Sequence, residues 1–271
     1  MVDTLLFIIF VAAGYFSGSV CSAVIVSRIC NLPDPRTKGS KNPGATNVLR
    51  LSGKKYAFIV LITDMLKGFI PVFLCIQLTN NIMIASFTCL AAVMGHMYPI
   101  FFNFKGGKGV ATAIGGIFGM HFMLGVVSTA TWLIVANFSG FSSLASMITM
   151  LLTPFYAIVM LKNLDALPPL SLVALFILFQ HRENITRLMD GTESKIKFHH
   201  DNVTDITNQL LDPAPETKAK APSKPVASKP ANKESAPRPN KKVAANKSEE
   251  KAKTTAKKQP AKKKVVKKKK E

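Results

Sequence analysis

Long apolar runs separated by short polar connectors dominate the first 211 residues of the chain. Runs at about 4–26, 56–78 and 80–102 each approach the ~20 residues that an α-helix needs to cross a bilayer. From Thr112 to Gln180 the chain stays apolar, broken near Gly125, at Asn137–Gly140 and at Lys162–Asp165. Small residues Gly14, Ser17, Gly18, Ser19 and Ser22 in the first run suit close helix packing. That run is too long for a signal-peptide core and lacks a basic leader, so it reads as a retained first span. The pattern predicts an all-α polytopic membrane protein.

Charge orients the spans. The connectors at Arg28–Lys55, Lys105/Lys108 and Arg182/Arg187 carry the Lys and Arg that mark cytoplasmic segments. The Gln77–Asn81 link is uncharged and reads as an external turn. Crossings between two cytoplasmic connectors must be even in number, so Thr112–Gln180 holds two or four. Five or seven spans follow, with the N-terminus outside and all three polar connectors at one membrane face. Asp64 and Lys67 interrupt the second run three residues apart, on one helical face. Charges at membrane depth pair with one another or line a cavity, and here a structural pair is the first reading.

Composition divides the chain in two. Of the formal +20 (Lys+Arg 35, Asp+Glu 15), residues 1–211 hold +6 and residues 212–271 the remaining +14. The second part is Lys-, Ala- and Pro-rich with almost no large apolar side chain, and it cannot bury a core. We read 1–211 as the membrane domain and 212–271 as a disordered basic tail. Such a tail attracts anionic lipid, nucleic acid or acidic protein without sequence specificity. Cys21, Cys30, Cys75 and Cys89 show no Cys-x-x-Cys spacing, so neither a disulfide nor a metal site is expected, and no cofactor is called for.

The connectors carry the candidate chemistry. In the second, Gly106, Gly107 and Gly109 lack Cβ atoms and lie between and beside Lys105 and Lys108. Such a loop can turn N–H groups with φ > 0 towards an anion, beside a helix N-terminus near Val110. It can equally be a turn whose lysines only set topology. In the first connector, Ser40, Asn42, Thr46 and Asn47 cluster around an Asn-Pro-Gly turn, and Arg50 offers a planar fork for phosphate. In the third, His181 and Asn184 share a helical face between Arg182 and Arg187. That segment is either part of a site or an amphipathic helix on the membrane surface.

Taken together, the three connectors resemble the bacterial acyl-phosphate:glycerol-3-phosphate acyltransferases of the PlsY type. The resemblance covers about residues 4–200. It rests on Ser40-Lys41-Asn42-Pro43-Gly44-Ala45-Thr46-Asn47 to Arg50, on Gly95-His96, Pro99 and Phe104 to Thr112, and on His181-Arg182, Asn184-Ile185, Arg187-Leu188, Gly191 and Glu193. It implies a seven-transmembrane helix bundle in the bacterial inner membrane, with the active site on the cytoplasmic side. The implied reaction moves an acyl group from acyl phosphate to glycerol 3-phosphate, giving lysophosphatidate and phosphate. By the same resemblance Ser40, Arg50, His181 and Asn184 are catalytic. Asn42, Asn47, Lys105, Gly106, Gly107, Lys108 and Gly109 bind substrate phosphate, and Glu193 is structural. His181 is then the general base, or it orients the hydroxyl while a substrate phosphate oxygen takes the proton.

Two other function classes fit the composition: an anion transporter using the basic connectors, and a membrane tether for nucleic acid driven by the tail. The enzyme reading accounts for all three motifs and ranks first. The spacing His200-x-x-x-x-Asp205 matches the signature of a different acyltransferase class. It lacks that class's other motifs and reads as chance.

Overall fold

The computed structural model describes residues 2–196; the basic tail, its boundary at 211/212 and the His200/Asp205 spacing lie outside the described residues. Within them the chain forms α-helices and one short 3-10 turn at Ile100–Phe102, with no strand. The helices are α1 (Val2–Gly18), α2 (Ser22–Ile29), α3 (Ala45–Ser52), α4 (Lys54–Thr79) and α5 (Ile82–Met97). After the second connector come α6 (Val110–Met120), α7 (Phe122–Ser139), α8 (Ser142–Leu161), α9 (Leu167–Gln180) and α10 (Arg182–Met189).

Five stretches are long and apolar enough to cross a membrane: Val2–Ile29, Lys54–Thr79, Ile82–Phe102, Phe122–Ser139 and Ser142–Leu161. The apolar helices α6 and α9 are shorter. Outward-facing side chains such as Phe58, Phe138 and Val159 are large and apolar, as lipid contact requires. The interior is packed with Val72, Ile84, Val93, Ile117, Leu124, Met150 and Ile177. The chain is an integral membrane protein with several apolar spans.

Lipid tails are as apolar as leucine, so helices in a bilayer associate chiefly by close packing and polar contacts. Two glycine pairs at four-residue spacing provide the approach. In α1, Gly14 and Gly18 lie against the backbone at Thr88 and Ala92 of α5. In α6, Gly115 and Gly119 lie against the backbone at Met65 and Phe69 of α4. The small residues read from the first run thus serve packing.

The first apolar run is not one helix, as its hydropathy alone suggested. It breaks at Ser19–Cys21. The Val20 carbonyl freed there accepts a hydrogen bond from Lys67 Nζ at 2.8 Å, and Ser17 Oγ donates to the Lys67 carbonyl at 2.8 Å. Irregular backbone at membrane depth persists only where such partners exist. The break turns α2 inwards, where Ala23 packs with Val48 of α3 and with Ala57 and Val60 of α4. That small cluster fastens the first connector to the bundle.

An alanine methyl at Gly18 would overlap the Ala92 backbone. Gly18→Ala is therefore expected to lower stability by about 1–3 kcal/mol, read as a lower melting midpoint in detergent. An unchanged midpoint would mean that α1 and α5 are not in fixed contact there.

Candidate active site

One cavity of about 540 Å3 collects residues from all three polar connectors, from within α4 and α7, and from the first turns of α6 and α8. Of the twelve residues singled out from sequence, eleven line it: Ser40, Asn42, Asn47, Arg50, Gly106, Gly107, Lys108, Gly109, His181, Asn184 and Glu193. Lys105 does not; it is exposed outside the lining. The 3-10 turn and the left-handed backbone at Asn103 and Phe104 precede it.

Asn47 organises the first connector. Its Oδ1 accepts from the Ser40 N–H at 3.0 Å, and its Nδ2 donates to the Pro35 and Lys38 carbonyls at 2.9 and 3.1 Å. The buried amide is thereby committed to holding the loop that presents Ser40. Gly39 takes a φ of +61° against that same Oδ1, where a Cβ would collide. Arg50, on the exposed side of α3, reaches the Ser194 carbonyl at 3.4 Å.

The glycine loop departs from the sequence reading in one respect. Gly106 N–H donates to the Met97 carbonyl at 3.2 Å, and Gly107 N–H donates to the His96 carbonyl at 3.1 Å. These two amides cap the end of α5, whose last carbonyls lack helical partners, and so are not offered to an anion. Their φ angles are not positive; among the three glycines only Gly109 is left-handed, at +83°. A Cβ on Gly107 would collide with His96 Nε2, so glycine is required there by packing. Among the described residues, the first-turn amides of α6 at Val110, Ala111 and Thr112 have no carbonyl partner. Val110 and Ala111 line the cavity next to Lys108, so the positive end of the helix dipole lies at its wall.

The third connector is a buried network. His181 sits between α9 and α10, with Nδ1 2.7 Å from the Ile177 carbonyl. That carbonyl fixes the proton on Nδ1 and leaves Nε2 as an acceptor. Burial and the nearby Lys108 charge push its pKa down to about 4. Asn184 accepts from Lys108 Nζ through Oδ1, and its Nδ2 donates to Glu193 Oε1 at 2.5 Å. Glu193 also accepts from Ser143 Oγ and Arg187 Nε, each at 2.7 Å. Burial raises the Glu193 pKa, but hydrogen bonds from Ser143, Asn184 and Arg187 outweigh it and hold the carboxyl below its ordinary value. Burial, with Arg187 and Arg50 near, brings the Lys108 pKa down to about 8.

Several lining residues were not read from sequence as site residues. Ser142, Ser143 and Ser146 open α8 and line the cavity; a Gly followed by a serine pair at a helix start was the available signal. Asp64 and His96 also line it, so the membrane-buried pair belongs partly to the site. Much of the remaining lining is apolar, from Leu61, Met65, Ile114, Trp132 and Leu133, with the Thr129 hydroxyl among them. The Trp132 indole N–H is held by Ser146 Oγ at 3.0 Å.

Fold and cavity define a polytopic membrane protein with an anion-suited site that has one polar and one apolar wall. A sequence profile described as glycerol-3-phosphate acyltransferase matches residues 8–191. The glycerol-3-phosphate acyltransferase of Legionella pneumophila (strain Corby) is 50% identical over 214 residues, 79% of this chain and 76% of that one. The Colwellia psychrerythraea enzyme of the same name is 51% identical over 192 residues, 71% of this chain and 97% of that one. Crystal structures of PlsY (YgiH), an integral membrane glycerol 3-phosphate acyltransferase, superpose with TM-scores of 0.67 (glycerol 3-phosphate form, 37% identity) and 0.65 (lysophosphatidic acid form, 36% identity). Each covers 70% of this chain and 95% of the solved one. The chain belongs to the glycerol-3-phosphate acyltransferase family, of the PlsY type.

Because its pKa is depressed on folding, Glu193 contributes stability above the ordinary carboxylate range. That contribution is lost as pH falls through its lowered folded-state value. Glu193→Ala removes one acceptor shared by three donors and is expected to lower the yield and melting midpoint of folded protein more than the kcat of what folds. It should also flatten the acid limb of the melting profile. A variant with normal melting behaviour and lost turnover would contradict this structural role.

Proposed function

We propose that the protein transfers a fatty acyl group from acyl phosphate to glycerol 3-phosphate, releasing lysophosphatidate and inorganic phosphate, as the first acylation of phospholipid synthesis. The observation that carries the reading is a single cavity lined both by all three polar connectors and by the apolar side chains of Leu61, Met65, Ile114 and Leu133. An acyl phosphate has the same two-sided character, and the apolar wall opens a path for its chain among the spans. Arg50, Lys108 and the first-turn amides of α6 hold the substrate phosphates. Lys105, outside the lining, contributes only to the general positive field there.

Phosphate is a good leaving group, so the residues chiefly position reactants and steady developing charge. Ser40 and Asn42 donate to the reacting end of the acyl phosphate, and Asn184 holds Lys108 in place. His181 Nε2 accepts a hydrogen bond from the attacking hydroxyl. Burial and the Lys108 charge lower the imidazole pKa to about 4, which favours orienting the hydroxyl over removing its proton; the other acceptor in reach of the hydroxyl is a substrate phosphate oxygen. His181 then orients the hydroxyl.

Ser40→Ala, Arg50→Ala and His181→Ala are each expected to lower turnover by roughly a hundredfold to a thousandfold without unfolding the bundle. Product analysis with acyl phosphate and glycerol 3-phosphate reads this directly. Near-normal turnover in both Arg50→Ala and His181→Ala would overturn the assigned site. The free-enzyme pH profile of kcat/KM for glycerol 3-phosphate should decline as pH rises through about 8, where Lys108 loses its charge. Lys108→Arg should move that decline to higher pH.

The same reading places seven spans in the inner membrane, with α6 and α9 as short crossings, the N-terminus outside and the three connectors cytoplasmic. The positive-inside distribution supports it. Single cysteines in the Gln77–Asn81 link are expected to react with an impermeant external reagent, and cysteines in the three connectors are not. External labelling of the connectors would reject this orientation. The +14 tail is assigned the separate role of attracting polyanions or anionic membrane.

A further inference from the structure

Three ionisable side chains meet beneath the glycine loop, inside the bundle. Asp64 and Lys67 of α4 and His96 of α5 are 2%, 7% and 6% exposed. Lys67 Nζ lies 2.9 Å from Asp64 Oδ1 and donates to the Val20 carbonyl. That pair would suffice to neutralise the lysine. Asp64 Oδ1 nevertheless receives no hydrogen bond of proper geometry, and on its other side His96 Nδ1 lies 3.7 Å away.

The His96 ring is held from three directions. Nδ1 is 3.1 Å from Thr112 Oγ1 of α6 and faces the Asp64 carboxylate of α4. Nε2 lies so close to Gly107 that no Cβ could stand between them, and the His96 carbonyl accepts the Gly107 N–H. Both residues line the cavity, and Lys108 follows directly in the chain. A shift of the ring moves Gly107 and the adjoining Lys108 with it.

We propose that His96, oriented by the buried Asp64–Lys67 pair and by Thr112, is a positioning residue that sets the Gly106–Gly109 loop and thereby the affinity for glycerol 3-phosphate. This rests on the assignment of Lys108 and the α6 amides to substrate phosphate. His96 touches neither reacting atom; it acts through the loop. Its counterpart, a histidine that only fills the core, would affect stability and leave the two substrates indistinguishable.

The test uses His96→Asn, which keeps an atom near the Nδ1 position and removes the contact with Gly107, and His96→Gln, which keeps an atom near Nε2. A third variant, Thr112→Val, removes the hydroxyl beside His96 Nδ1 at nearly constant volume and leaves the Asp64–Lys67 pair in place. His96→Asn and Thr112→Val are expected to raise KM for glycerol 3-phosphate on the order of tenfold to a hundredfold. KM for acyl phosphate should stay unchanged and kcat should fall by less than the KM rises, while His96→Gln stays near the wild type. Hydrogen exchange at the Gly106 and Gly107 amides, which needs no turnover, should quicken in His96→Asn and not in the core of α5. Unchanged exchange in that loop overturns the proposal, as does a loss confined to kcat or shared equally by both substrates. If the wild type makes no lysophosphatidate, the proposed function fails while the exchange measurement still decides the role of His96.

Discussion

A lysine inside a membrane bundle must find an anion and a carbonyl, and much of this architecture follows from how Lys67 finds both. Its ammonium takes the Asp64 carboxylate one turn back and the Val20 carbonyl freed by the break between α1 and α2. Without that donor, the broken backbone at Ser19–Cys21 would leave an unsatisfied polar group where no water reaches. With it, α2 turns onto α3 and α4 through Ala23, Val48 and Val60, and the first connector comes to the cavity rim. One charge pair thus supports both the helix break and the delivery of Ser40 and Arg50.

The site itself is a balance of charge that runs from the exposed Arg50 and Arg182 to the buried Asn184 and His181. Arg50, Lys108, Arg182 and Arg187 would repel one another if left alone in a cleft. Glu193 takes Arg187 and, through Asn184, braces Lys108. What remains towards the cavity is a controlled excess of positive charge beside unpartnered helix amides, which suits phosphate. The apolar wall around Trp132 and Leu133 carries no such groups, so an amphiphile has one favourable orientation.

The outward surface inverts the rule of soluble proteins: large apolar residues face out, and hydroxyls and ionisable groups face in. Ser128 and Thr153, Thr131 and Tyr156, and Trp132 and Ser146 join α7 to α8 by hydrogen bonds, because two apolar faces in lipid would gain little from meeting. Glycines at four-residue spacing do the same service for α1 with α5 and for α4 with α6.

Much of this was legible in the chain. Hydropathy located the first three apolar runs and the breaks near Gly140 and Lys162, because the bilayer demands a run of given length whatever its neighbours; the break expected near Gly125 falls instead at His121, between α6 and α7. The three connectors, read with the family resemblance that their motifs carry, located eleven lining residues, because a membrane protein has few other places to gather such groups. Spacing also paired Asp64 with Lys67, since a helix sets i and i+3 side by side. Contacts between distant segments were not legible. That Gly106 and Gly107 turn their amides to α5, and that Asn47 is occupied with its own loop, depends on carbonyls far away in the sequence or on the loop's return. So does the displacement of Lys105 from the cavity, and the inclusion of Ser143 and Ser146 within it. The break in the first run was hidden for the same reason: the residue that satisfies Val20 lies 47 positions onward. Local periodicity and the solvent determined which segments are helical and which residues are polar enough to react. Only the packing of those helices decided which backbone groups were left free, and those groups define the site.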